Sequence, residues 1–128
     1  MRRLAVTATL LLVGVIAFAM APRAQQAGEK ADPVKVDPKH YKVEFENDKV
    51  RVLRVTYGPG EKSAMMHYHP DSVAVYLTDG KSLMILPDGK SRETSARAGQ
   101  VFWVPAGSHI AENEGDDKDE VILIEMKK

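Results

Sequence analysis

The chain has 128 residues and a mass of 14.1 kDa, enough for one hydrophobic core and too little for two. Eighteen basic side chains balance eighteen acidic ones, so there is no basic surplus of the kind a duplex nucleic-acid binder sets against phosphates, and no nucleic-acid partner is expected. Cysteine is absent, which excludes disulfides, thiolate zinc sites and thiol nucleophiles; any metal must be held by histidine nitrogen or by oxygen.

In chain order, Met1 is followed by Arg2 and Arg3 and then by an uncharged, mostly apolar stretch from Leu4 to Ala21. A basic start, an apolar run and small residues after it predict a secretory signal peptide over residues 1–24, cut after Ala24. The competing reading is an uncleaved anchor, since the stretch approaches the roughly 17–25 residues needed to span a membrane. Thr7, Thr9 and Gly14 dilute the run and favour cleavage. Removal of Arg2, Arg3 and Arg23 would leave a net negative protein in the periplasm or outside the cell, touching a membrane only if the signal stays uncut. Residues 25–39 are polar, carry Pro33 and Pro38 and show no apolar period, so a flexible tether is predicted there, with the folded domain over residues 40–128.

From Tyr41 onward the periodicity is two, and no stretch holds a helical stripe for three turns. Strands are predicted over Tyr41–Glu46 and Val50–Tyr57, the first closed by Asn47-Asp48 and the second by Gly58-Pro59-Gly60. Val73–Thr78 follows, then a hairpin of Ser82–Leu86 and Lys90–Ser95 around Pro87-Asp88-Gly89. Val101–Val104, Ile110–Asn113 and Glu120–Met126 complete the set. Short strands at this spacing predict an all-β sandwich or barrel.

Chemistry concentrates in two histidine patches. His67-Tyr68-His69 places two imidazoles on one face of an extended strand, about 6.6–6.8 Å apart at Cα, from where both can reach one ion at about 2.0–2.1 Å. His109 follows the tight turn Pro105-Ala106-Gly107-Ser108, which can aim a later strand at the same interior. Taken singly, each patch has an ordinary reading: an exposed pair, or a histidine bonded to a backbone carbonyl.

The joint pattern resembles the cupin family. The first cupin motif matches Gly60 through His67-Tyr68-His69 to Gly80, and the second matches Gly99, Pro105-Ala106-Gly107, His109 and Asn113. The likeness covers roughly Tyr41 to Met126 and is nearest to the short, single-domain bacterial cupins. It implies a jelly-roll-like β-barrel with His67, His69 and His109 as metal ligands. One departure bears on the metal: the glutamate ligand of the family is missing, and counting back from Gly80 puts Val73 in its place.

Three neutral imidazoles leave a divalent ion at formal +2 with open positions. This suits Fe(II), the favoured ion, or Zn(II), Ni(II) or Cu(II), better than magnesium or calcium. Some three-histidine cupins are non-haem iron dioxygenases, so the resemblance implies a metal-dependent oxygenase acting on a small molecule. The alternatives are a non-catalytic metal- or ligand-binding module and a barrel without metal. Candidate substrate contacts are Arg54, Met65, Val73 and Trp103. Val73, Val75 and Leu77 continue the parity of His67 and His69 and should form an apolar pocket wall, with Tyr76 turned away. Arg51 and Arg54 lie on opposite strand faces, so one of them is placed to enter the barrel. His40 is expected in solvent, Asn113 as a loop organiser, Asp71 as a turn cap, and the acidic run from Glu112 to Glu120 as a solvated turn. The exposed edges of so small a barrel predict a homodimer.

Overall fold

A computed structural model describes residues 30–128. The predicted signal peptide and residues 25–29 of the predicted tether lie outside the described residues. Among the described residues, a four-residue helix α1 (Pro33–Val36) is followed by nine strands: β1 (Tyr41–Glu46), β2 (Val50–Tyr57), β3 (His67–His69), β4 (Ser72–Tyr76), β5 (Gly80–Ile85), β6 (Ser91–Ala96), β7 (Val101–Val104), β8 (Gly107–Asn113) and β9 (Asp119–Met126). They form a five-stranded sheet, β1-β2-β9-β4-β7, and a four-stranded one, β3-β8-β5-β6. All named pairings are antiparallel. The expected all-β, jelly-roll-like barrel is what the chain adopts.

Strand alternation sorts the residues. In β2, Leu53 and Tyr57 are buried and Val55 faces the interior with them, while Val52 and Arg54 face outward. Tyr41, Leu53, Tyr57, Ala74, Ala111 and Leu123 form the buried core. Two of these carry hydroxyls, and both are satisfied: Tyr57 Oη donates to Tyr41 Oη at 2.8 Å and lies 2.8 Å from Ser63 Oγ. Burial pushes the Tyr57 phenol up to about 12 and Tyr41 well above its ordinary value, so both stay neutral at working pH.

The outer face of the five-stranded sheet is apolar along a full cross-strand row. Phe45, Val52, Ile124, Val73 and Trp103 are successive register partners from one edge of the sheet to the other. Phe45 (55%) and Trp103 (59%) at the ends of that row are largely exposed.

Three expectations need correction here. The parity carried from His67 and His69 through to Val73 fails at Pro70, where the chain leaves one sheet for the other and the inward set is reset. Ala74 and Tyr76 line the interior, and Val73 faces out. His40 is not solvated but 5% exposed, with its ring stacked on Tyr57 at 4.1 Å. Its Nδ1 lies 2.8 Å from Asp37 Oδ1, and its Nε2 lies 2.6 Å from Glu61 Oε2.

The third correction is that residues 30–39, assigned to the tether, belong to the fold. Asp32 caps α1 by accepting from Val34 N, Pro33 occupies the first turn and is buried, and Asp37 is 2% exposed. The Ala31 carbonyl accepts from Tyr68 N at 2.8 Å and so covers the open edge of β3. Local composition hid this segment because its order comes from docking rather than from its own periodicity.

Candidate metal centre

Sheet register builds the site. In the β3–β8 pair His67 stands opposite His109, and His69 stands opposite Gly107. Directly opposed residues of an antiparallel pair project to one face about 4.5–5.5 Å apart at Cβ, and alternate residues share that face. Three corners of a two-by-two patch are therefore imidazoles. The fourth corner is Gly107, where an added Cβ would meet nothing within 4 Å, so it is left open.

One ligand nitrogen from each of His67, His69 and His109 lies within 4.8 Å of the others. Ring centroids are 4.9 Å apart for His67–His69, 4.9 Å for His67–His109 and 5.2 Å for His69–His109. Tyr41 packs against His67 at 4.8 Å and His69 at 5.4 Å.

Tautomers follow from the partners. His67 Nδ1 donates to the Met65 carbonyl at 3.1 Å, which leaves Nε2 as a lone-pair acceptor. That Nε2 is buried without a hydrogen-bond partner among the described residues, a costly arrangement unless a cation takes the lone pair. His69 Nδ1 donates to Glu125 Oε2 at 2.7 Å, which frees its Nε2. The donor set and the orphaned nitrogen fit a divalent transition ion held by three imidazoles. Which ion is a separate matter.

Burial, reinforced by the neighbouring histidines, lowers the His67 imidazole to about 4 and His109 to about 3. Both rings are thus neutral, as ligands must be, at any pH above 5. A testable consequence concerns the metal-free protein. An unfolded histidine takes up a proton near pH 6.5, whereas these two resist it when folded. Stability should be level above about pH 6.5 and then fall toward pH 4, by about 1.4 kcal/mol per pH unit for each of the two. Urea titrations across that range check it; stability that stayed level or rose on acidification would contradict it.

Beside the triad lies a cavity of about 100 Å³, with His69 and His109 in its wall. The rest of the lining is mostly apolar, from Val55, Ala74, Val104 and Leu123 among others, with Asp119 as the acidic member. Asp119 is 6% exposed, accepts from Thr78 and Ser82 at 3.3 Å each, and burial raises its carboxyl above the ordinary value. The expectation of a wholly solvated acidic run fails at this residue.

The other predicted contacts are not brought to the cavity. Arg54 faces outward, its guanidinium bonded to Glu44 and Glu120, because β2 alternation gives the inward positions to Leu53, Val55 and Tyr57. Val73 and Trp103 lie on the outer sheet face. Met65 is 38% exposed and adjoins the site only through the carbonyl that orients His67. Arg51 does turn inward, but Glu125 and Asp32 occupy its guanidinium. Asn113 and Asp71 do act as loop organisers: Asn113 Nδ2 donates to three carbonyls, and Asp71 accepts from Ala106 N.

Sequence reasoning missed Glu125, which is 2% exposed. Burial alone would raise its carboxyl, but the hydrogen bonds from His69 and Arg51 outweigh that and hold it low. A signal was available: Glu125 shares strand parity with Val121 and Leu123, so it is an acid at an inward position beyond the apolar run Val121–Ile124.

The Cupin domain family matches residues 53–125, a span that contains the three histidines and Glu125, and the chain belongs to that family. Among solved structures it is similar to a cupin domain from Bordetella pertussis, with 29% identity and a TM-score of 0.63, covering 69% of this chain and 92% of that one. It also resembles an RmlC-like cupin family protein with a double-stranded β-helix fold from Methanocaldococcus jannaschii (19% identity, TM-score 0.52, covering 70% and 83%). A cupin superfamily protein from Desulfitobacterium hafniense is similar at 16% identity and a TM-score of 0.51, covering 69% and 76%. No curated protein matches the chain.

Proposed function

We propose that the chain is an exported, metal-dependent cupin enzyme of the non-haem iron type, which acts on a small molecule at the three-histidine centre. The observation that carries this reading is the convergence of His67, His69 and His109, with His67 Nε2 buried and unpartnered and the fourth corner left open at Gly107. An iron(II) ion there would supply Lewis acidity and one-electron chemistry toward a ligand that binds at an open position.

The chain's own residues set the other conditions. Apolar walls around the cavity exclude water from the reacting group, which strengthens electrostatic contacts made inside. Its volume is below the roughly 150 Å³ of a cavity that admits benzene, so a substrate of few heavy atoms fits without movement of the walls. The three neutral imidazoles leave the site cationic, which favours an anionic or chelating ligand. Export is supported by the basic and apolar N-terminal sequence, and a homodimer by the exposed apolar row that ends at Trp103.

The test is anaerobic reconstitution with Fe(II), followed by oxygen uptake over a panel of small carboxylates, diketones and thiols. Uptake that depends on one substrate class and is lost in His67→Ala is expected. One tightly held ion with no oxygen consumption on any substrate would instead make the protein a metal-binding module.

A further inference from the structure

The missing carboxylate ligand has a counterpart one residue further out. His69 Nδ1 meets Glu125 Oε2 at 2.7 Å, and Glu125 Oε1 accepts from Arg51 Nε at 2.7 Å. The Arg51 guanidinium then forms a two-pronged pair with Asp32, at 3.0 and 3.1 Å. Glu125 is 2% exposed, so solvent screens its charge little. Two carboxylates and one guanidinium leave this chain of groups with a net charge of −1. A divalent ion on three neutral imidazoles would have formal charge +2, so ion and chain together reach the +1 that a directly bound glutamate would give.

We infer that Glu125 is a positioning residue for the metal: it fixes the His69 ring with Nε2 toward the ion, makes that nitrogen a stronger donor, and supplies from outside the coordination sphere the negative charge that the cupin ligand set lacks here. Arg51 and Asp32 hold the carboxylate in place from behind. A carboxylate on the far nitrogen of a ligating imidazole raises the basicity of the ligand, and loss of such a partner typically costs 10–100-fold in metal affinity. The inference rests on the metal-centre reading above.

Co(II) binding by the full folded chain, followed by its visible bands, tests both. Glu125→Gln should bind Co(II) about 10–100-fold more weakly than the unaltered protein and shift the bands. In a His69→Ala background the same substitution should cost a clearly smaller factor, because positioning and basicity act through that ring and only the through-space charge remains. Arg54→Gln, on the outer face, serves as the control and should leave affinity unchanged. Unaltered affinity and bands in Glu125→Gln, or an equal loss with and without His69, would overturn the inference while the metal centre stood. No Co(II) binding by the unaltered protein would overturn both.

A second measurement covers failure of Glu125→Gln to fold. In ¹⁵N-labelled, Zn(II)-loaded protein the His69 Nδ1 proton should appear far downfield and exchange slowly. Absence of a proton on Nδ1 would contradict the assigned role.

Discussion

His109→Ala is expected to lower metal affinity at least 100-fold while leaving the metal-free protein close to its original stability. The two halves of that result have separate causes. His109 is one of three convergent nitrogens from two distant segments, and a direct ligand should weigh more than the 10–100-fold typical of an outer partner. No hydrogen bond to another described residue holds its ring, so alanine removes packing without leaving a hydrogen-bond partner orphaned. A ligand at 1,000 times its dissociation constant adds about 4 kcal/mol to folding stability. For a domain of this size, metal should therefore raise the melting temperature of the unaltered protein by more than about 10 °C, and that of His109→Ala by no more than about a third as much, since a 100-fold loss leaves about 1.4 kcal/mol at the same metal concentration. Thermal melts with and without Co(II) read both halves. A variant that kept the metal-dependent rise would remove residue 109 from the ligand set.

His40→Ala should cost stability rather than metal. The ring sits between Asp37 and Glu61 and stacks on Tyr57, and Asp37 is 2% exposed. Alanine would leave that carboxylate buried with the Ala64 amide at 3.2 Å as its remaining partner. Breaking a buried pair from one side typically costs about 3–5 kcal/mol, which predicts a melting temperature lower by more than about 10 °C. Glu61→Gln is the contrast: Glu61 is a third exposed and also faces Lys39, so its loss should leave the melting temperature near that of the original chain. Equal effects from the two substitutions would mean that the Asp37–His40 pair does not anchor residues 30–40 to the barrel.

The sequence made the strands, hairpin turns and ligand triad legible, and the reason is local. His67-Tyr68-His69 declares its shared face by spacing alone, and Pro87-Asp88-Gly89 declares its turn, with Gly89 at a φ of +81°. What stayed hidden depends on which sheet a segment joins. Parity counted across Pro70 put Val73 in the pocket and Tyr76 outside, whereas β3 and β4 lie in different sheets and the count restarts between them. Arg51 and Arg54 were a symmetric pair in sequence; burial of Leu53 broke the symmetry. Asp32 and Asp37 looked like parts of a polar tether, and His40 like a solvated residue beyond it, because their partners, Arg51, Ala64 and Glu61, lie elsewhere in the chain.

The central claim is that imidazoles from β3 and β8 hold one ion between them. X-ray absorption at the metal edge of protein loaded with one equivalent of Co(II) or Fe(II) addresses it most directly. The account predicts one ion per chain with three imidazole nitrogens at about 2.0–2.1 Å and oxygen scatterers completing the sphere. A spectrum with oxygen scatterers alone, or an ion that a chelating resin strips without effort, would contradict it.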